Sequence, residues 1–325
     1  MHVALYVHSL LPARGYGGTQ RVVVWLARGL AELGHRVTVL ALAGSRGLEA
    51  ELAELDPKQL RSRDFDISPH VPRSADIVHA HTPLIRSPAQ PCVFTLHGNL
   101  RHGVTPPPNA IFLSADHARR HGRIAFVHNG VDPADYLYQS TKESYDLFLG
   151  RLHSVKGYRW AIEGAKRCGK RLIIAGGWRP SLRPSLRFVG SVDGPRKAAL
   201  LARAECLWMP ALWDEPFGLT LVEALASGTP VLGTRRGSLP EVISPNVGAL
   251  GDTLDELVGL RSTIGERRPE DCLSRVERWF NHRRMAEEYV RMYQHYLKTG
   301  SLPAGSGIDE PGQSSAATAG SSSRN

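Results

Sequence analysis

Residues 1–42, MHVALYVHSLLPARGYGGTQRVVVWLARGLAELGHRVTVLAL, read as a strand, a glycine-rich turn, an amphipathic helix and a second strand. HVALYV (2–7) and HRVTVLAL (35–42) are short apolar runs of strand length. Between them Val22, Val23, Leu26, Leu30 and Leu33 recur at helical spacing, and Gly34 closes the segment as a C-cap. This is a βαβ unit, and near-continuous apolar strands joined by a helical crossover call for a parallel sheet covered on both faces.

The same alternation continues outward. DIVHA (76–80), CVFTL (92–96), AIFLS (110–114) and IAFVH (124–128) follow, separated by helical or turn-rich segments. Asn129-Gly130-Val131-Asp132-Pro133 carries turn chemistry. A second series then begins with DLFLG (146–150), RLIIAGG (171–177), LRFVG (186–190), CLWMP (206–210), PVLGT (230–234) and VGALG (247–251). The expectation is an α/β protein with two Rossmann-like parallel-sheet domains, residues 1–137 and 138–282, the boundary lying in the polar stretch 133–144. The segment RVERWFNHRRMAEEYVRMYQHYLK (275–298) has helical periodicity through Val276, Phe280, Met285, Tyr289, Met292 and Tyr296. Residues 300–325 are small, polar and rich in Pro and Gly, the composition of a disordered tail.

Composition narrows the function. At 325 residues and 42% apolar content, the chain suits two such domains. The formal net charge of +9 is spread thinly, with 14 basic against 11 acidic residues over 1–137 and 25 against 18 over 138–299. No aromatic-interleaved basic stripe appears, so a nucleic-acid partner is not expected. Cys92, Cys168, Cys206 and Cys272 lie far apart without a CxxC pair, which fits a reducing, cytoplasmic setting rather than a disulfide framework or a zinc ribbon. The N-terminus lacks a basic leader region and reads as the first strand. No apolar run approaches the roughly 20 residues of a membrane span, which leaves peripheral contact as the mode open to a membrane.

Three motifs carry chemistry. In ARGYGGTQRVVVWLARGL (13–30), Gly15, Gly17 and Gly18 allow close backbone approach to a ligand, and the following helix offers N–H groups and a positive dipole end to a phosphate. A tight turn needing glycine for its dihedrals alone would look the same. The pattern is not GxGxxG and no acidic residue follows the second strand where a dinucleotide ribose needs one, which argues against a nicotinamide cofactor. In LFLGRLHSVKGY (147–158), Gly150 and Arg151 follow a strand end and Lys156 and Gly157 come five residues later. Two cations so placed can hold the two phosphates of a diphosphate, Arg through its fork and Lys as a point charge, although a solvated loop is the competing reading. In WDEPFGLTLVEALASG (213–228), Pro216 and Gly218 open a helix over about 219–227. Glu215 stands just before it and Glu223 one turn inside, around unpaired N–H groups of Phe217, Gly218, Leu219 and Thr220.

Arg151, Lys156, Glu215, the PFG turn and Glu223, in this order, resemble glycosyltransferase family 4, retaining enzymes of the GT-B fold whose two Rossmann-like domains face each other across a cleft. The resemblance covers residues 1–298. It implies that Arg151 and Lys156 neutralise a donor diphosphate, that Glu223 binds ribose hydroxyls and that Glu215 contacts the donor sugar near its 3- and 4-hydroxyls. It places the amides of Phe217, Gly218, Leu219 and Thr220 on sugar and phosphate, Gly17 and Gly18 near the phosphate from the other domain, and Gly190, Ser191 and Val192 beside the nucleobase. His97 in TLHGN matches the family's histidine near the reacting sugar, while a satisfied structural histidine is the alternative. His79 and His81 in VHAHTP resemble a strand-end pair, with His81 in a supporting place near the cleft. The C-terminal helix, about residues 283–298, is expected to pack back on the first domain.

No metal and no cofactor are expected beyond the substrate nucleoside-diphosphate sugar. The one DxD, Asp64 to Asp66, falls in the N-terminal half away from the donor motifs and reads as a surface coincidence. The reaction needs charge stabilisation on a leaving diphosphate more than a strong nucleophile, which makes Glu215 a positioner. UDP is the commonest donor nucleotide in the family. The stretch 44–67 is short and shows no basic face opposite a row of aromatics, so a small soluble acceptor, such as an aminocyclitol or another natural-product intermediate, is favoured over a lipid. The loop NLRHGVTPPPNA (99–110) leaves the sheet beside His97 as a candidate acceptor-facing element. The competing readings are another GT-B enzyme such as a sugar-phosphate synthase, a lipid or cell-envelope glycan transferase, and a sugar-nucleotide-binding protein without turnover.

Overall fold

The computed structural model describes residues 1–303 apart from Arg14, Tyr16 and Arg63, so most of the stretch read as a tail lies outside the described residues. Two six-stranded parallel sheets are present. The first comprises β1 (His2–Tyr6), β2 (Arg36–Leu42), β3 (Glu51–Leu55), β4 (Ile77–Ala80), β5 (Cys92–Thr95) and β6 (Ala110–Ile111), in the order β3-β2-β1-β4-β5-β6. The second comprises β7 (Asp146–Leu149), β8 (Leu172–Ala175), β9 (Leu186–Phe188), β10 (Cys206–Met209), β11 (Val231–Thr234) and β12 (Gly248–Gly251), in the order β12-β11-β10-β7-β8-β9. The helices are α1 (Gly18–Glu32), α2 (Ala115–Arg120), α3 (Tyr158–Arg167), α4 (Gly194–Arg203), α5 (Leu219–Ala226), α6 (Leu239–Val242), α7 (Leu254–Arg261), α8 (Pro269–Trp279) and α9 (His282–Thr299).

Both sheets reverse strand order at one point, between β1 and β4 and between β7 and β10. Open parallel sheets form their ligand crevices at the carboxyl ends of such strands. The central strands β1, β4, β7 and β10 are buried at every position because helices cover both faces. Helix α1 buries Val22, Val23, Trp25, Leu26 and Leu30, and Gly34 at φ +79° ends it in the left-handed conformation that a side chain would strain.

Two expectations about elements need correcting. IAFVH is not a strand of the sheet; its Phe126 makes a single parallel bridge to Phe112. The sixth strand of that sheet is β3, ELAEL, inside the stretch 44–67, where it pairs with β2 from Thr38↔Glu51 to Leu42↔Leu55. The segment 275–298 is two helices: Phe280 ends α8, and the Asn281 side chain accepts from Arg284 N at 2.8 Å to cap α9.

The chain crosses between the sheets twice, and the crossings are stitched together. Val131 N donates to Phe280 O at 2.9 Å and His282 N to Val131 O at 2.8 Å. Helix α9 then lies against α1, with His282 Nε2 3.0 Å from the Glu32 carboxylate. Tyr289 and Tyr293 of α9 are fully buried beside β4 and β5.

In the second sheet a buried ion pair closes the base of β7. Arg261 donates to both Asp146 oxygens, at 2.8 and 2.6 Å, and Trp208 Nε1 donates to the same carboxylate at 2.7 Å. All three side chains are essentially inaccessible.

Candidate active site

The β1–α1 turn from one sheet and the β7–α3 and β10–α5 connections from the other meet across one cleft. The N-termini of α1 and α5 face each other closely: a Cβ placed on Gly18 would lie 3.3 Å from Leu219 Cδ1. Neither helix has a side-chain cap bond or an acidic residue in its first turn. Their first-turn N–H groups and dipoles therefore favour an anion between them.

The cleft holds a chamber of about 300 Å³ lined by Gly18, His97, Arg151, Lys156, Glu215, Phe217, Gly218, Leu219 and Thr220, among others. Most of the residues singled out from sequence thus share one cavity although they come from four separate connections. A second chamber of about 400 Å³ is lined by Val192, Lys197 and Glu223, and Arg21, Leu149 and Thr220 line both. Gly17, Gly190 and Ser191 are not among the lining residues of either. Gly17 is the N-cap of α1, and Gly190, at φ +75°, bridges Gly177.

Lys156 is held by the sharp turn that ends at Gly157, φ +72°, where a Cβ would run into the carbonyl of Pro210. Its Nζ donates to Glu215 Oε2 at 2.6 Å and lies 4.5 Å from the Trp213 ring centroid. Trp213 Nε1 donates to the same carboxylate oxygen at 2.9 Å. Arg151 stands exposed at the rim. Glu215 is buried, and the Lys156 and Trp213 contacts both fall on one oxygen of its carboxylate.

Glu223 is completely buried, and its Oε1 accepts from Arg21, from Lys197 Nζ at 2.6 Å and from Tyr136 Oη at 3.1 Å. Its Oε2 has no protein partner. Burial holds the Lys197 ammonium below the usual lysine range, with Glu223 opposing, and raises the Tyr136 hydroxyl well above its own. Asn129, which lines the first chamber, is also buried with its Oδ1 unpartnered. Buried oxygens of this kind are costly unless something donates to them.

Arg21, Tyr136, Lys197, Trp213 and Asn129 were not identified from sequence. Arg21 sits three residues after Gly18, on the helix face that a ligand at the N-terminus meets, and that spacing was the available signal. Lys197 and Tyr136 reach Glu223 only through the tertiary fold.

His97 lines the first chamber. Its Nε2 lies 2.9 Å from His81 Nδ1, and burial pushes its pKa down to about 4. His79 lies deeper, with Nδ1 2.6 Å from Tyr293 Oη and Nε2 2.7 Å from Thr95 Oγ1, so both of its nitrogens are satisfied structurally. Beyond His97, Asn99 Nδ2 donates to Asp214 O at 2.8 Å, tying the start of the 99–110 loop to the opposite side of the cleft. Asp66, of the DxD, accepts from Ser68 N and Oγ at 2.8 and 2.6 Å and lines neither chamber. Among the described residues no helix is long and apolar enough to cross a membrane.

Comparisons with known proteins agree with this arrangement. A model of glycosyltransferase family 4 matches residues 16–117, and one of glycosyl transferases group 1 matches residues 144–258. A phosphatidyl-myo-inositol mannosyltransferase of Mycolicibacterium smegmatis is 26% identical over 310 residues, covering 76% of this chain and 80% of its own. A crystal structure of a glycosyltransferase involved in avilamycin A biosynthesis is 28% identical with a TM-score of 0.75, covering 93% of this chain and 99% of its own. An Anabaena protein solved in complex with UDP-glucose shares the fold at a TM-score of 0.66 and 15% identity, covering 91% of this chain and 100% of its own. With two facing parallel-sheet domains, the matching family models and these relatives, the chain belongs to the family 4 glycosyltransferases of the GT-B fold and is a glycosyltransferase.

Proposed function

We propose that the enzyme transfers a sugar, with retention of anomeric configuration, from a nucleoside-diphosphate sugar, UDP-linked in the first instance, to a hydroxyl of a small natural-product acceptor. The observation that carries the reading is the adjacency of the two chambers, which share Arg21, Leu149 and Thr220 in their linings. The first chamber suits a sugar and diphosphate and the second a nucleoside. Arg151, Lys156 and the α1 and α5 N-termini meet the charge that develops on the leaving diphosphate, and no step is routed through a metal. Glu215 and His97 border the sugar, and Glu223 Oε2 is the acceptor available to ribose hydroxyls.

Retention is taken from the family resemblance and agrees with the commitment of Glu215 to Lys156 and Trp213, which suits it to positioning. The departing phosphate oxygen then takes the acceptor's proton on the face it leaves. UDP is supported by the Anabaena neighbour, and a small acceptor by the avilamycin relative, which this chain matches nearly end to end. The mannosyltransferase relative favours a second reading, a mannosyl donor with a lipid acceptor.

Thermal shifts against UDP, GDP, ADP and TDP sugars test the donor, since a ligand at 100 times its dissociation constant stabilises by about 2.7 kcal/mol. Mass spectrometry of reactions with an acceptor panel and NMR of the product anomer test the rest. A shift with GDP-mannose alone, or product formed on phosphatidylinositol alone, would replace the first reading with the second.

A further inference from the structure

His81 lies one shell behind the cleft, and its hydrogen bonding determines which face His97 shows to the substrate. A neutral imidazole carries one N–H and one lone pair, so the 2.9 Å contact between His81 Nδ1 and His97 Nε2 admits two arrangements. In one, His97 Nε2–H donates to His81 Nδ1. His81 must then carry no hydrogen on Nδ1 and one on Nε2. That Nε2 is buried without a partner, in a residue only 4% exposed. The arrangement therefore strands an N–H donor in the interior and leaves a bare lone pair on His97 Nδ1.

In the other, His81 Nδ1–H donates to His97 Nε2. The unpartnered atom is now a lone pair, which buried sites tolerate better than a stranded N–H. The His97 hydrogen then sits on Nδ1, the nitrogen not engaged by His81. The rest of the cluster holds this geometry. His81 N donates to Tyr6 O at 2.8 Å, and the His79 ring lies 4.0 Å away, centroid to centroid, tilted by 35°. His79 is in turn fixed by Thr95 and Tyr293.

We infer that His81 is a positioning residue that fixes His97 as the Nδ1–H tautomer, making His97 a hydrogen-bond donor to an oxygen of the sugar being transferred. This rests on the proposed donor reading for what the hydrogen meets, but not for where the hydrogen is. Burial keeps both rings uncharged near neutral pH, so the contact is neutral and directional.

Long-range 15N NMR of the ligand-free full-length enzyme, assigned with His97→Gln and His81→Asn, reads the tautomers directly. Protonated Nδ1 on both His81 and His97 is expected; a protonated His97 Nε2 overturns the inference. Kinetics give the second reading. His81→Asn keeps an N–H donor near the Nδ1 position and should hold kcat within about threefold. His81→Asp substitutes an acceptor and His81→Leu neither, and both should lose about 10- to 100-fold in kcat with a smaller change in donor KM. Equal losses in all three variants at unchanged melting temperature would mean that only packing matters and would overturn it. The expected tautomers in a protein that turns over no sugar nucleotide would support the inference and remove the donor reading instead.

Discussion

Lys156 Nζ and Glu215 Oε2 are 2.6 Å apart, so the cation assigned to the diphosphate is held by the carboxylate assigned to the sugar. A ligand that fills the first chamber engages both at once, and the two residues should behave as one unit. Lys156→Ala is expected to lower kcat/KM by about 100- to 1000-fold, the usual cost of removing one preorganised charge. Glu215→Gln should cost less, and the double variant far less than the product of the two. Initial rates around this cycle provide the check, and strict additivity would mean that the pair acts independently.

Glu223 offers one oxygen to three protein donors and keeps the other unpartnered. Glu223→Gln retains the shape and weakens acceptance from the nucleotide. Its dissociation constant for the free nucleoside diphosphate should rise about tenfold, equal to about 1.4 kcal/mol, measured by calorimetry. A 2′,3′-dideoxy nucleotide should bind both forms alike. Discrimination that survived the substitution would move ribose recognition elsewhere.

Acid should weaken the fold before it reaches the carboxylates. Burial lowers His97 to about 4 and His117 to about 3 from an ordinary 6.5, His121 and Arg120 adding to the shift at His117. Between those values and 6.5 the unfolded chain binds protons that the folded chain refuses. Stability is therefore complete above pH 7 and falls as pH drops through 6.5, by up to about 1.4 kcal/mol per pH unit for each such ring. Urea unfolding at pH 7.5 and 5.5 should differ by at least about 1 kcal/mol; coincident curves would contradict the burial.

Arg261→Met would leave the Asp146 carboxylate buried with Trp208 as its remaining donor. The expected loss is about 3–5 kcal/mol, read from denaturant melts, because a buried charge without its partner is costly. Replacing both members with apolar residues should recover much of it. Nucleotide affinity of the folded variants should be unchanged, since the pair lies at the opposite end of β7 from the cleft.

The strands of the second sheet were readable because each is a short apolar run between turn residues, as in RLIIAGG and PVLGT. β3 was not, since an edge strand needs only partial cover and ELAEL carries Glu51 and Glu54 outward. IAFVH misled for the converse reason: Ala125 and Val127 are buried, but their backbone pairs only with Phe112, in a single bridge rather than a ladder. The break at Phe280–Asn281 was hidden because the apolar spacing runs almost in phase across it. At the site, the residues around PFG could be placed by helix-terminus chemistry. Lys197 and Tyr136 could not, because their meeting with Arg21 at Glu223 depends on how α1 and α4 close over α5.

The return of α9 to the first sheet has a consequence for how the chain is born. Thr95 and His79 find their hydroxyl partners in Tyr289 and Tyr293, about two hundred residues later. During synthesis the second sheet and its ion pair have all their parts once α8 has emerged. The first sheet, although made earlier, must wait with an open flank until α9 arrives. The half of the enzyme that begins first therefore finishes last, and the histidines behind the cleft acquire their final settings only when the other half already has everything it needs.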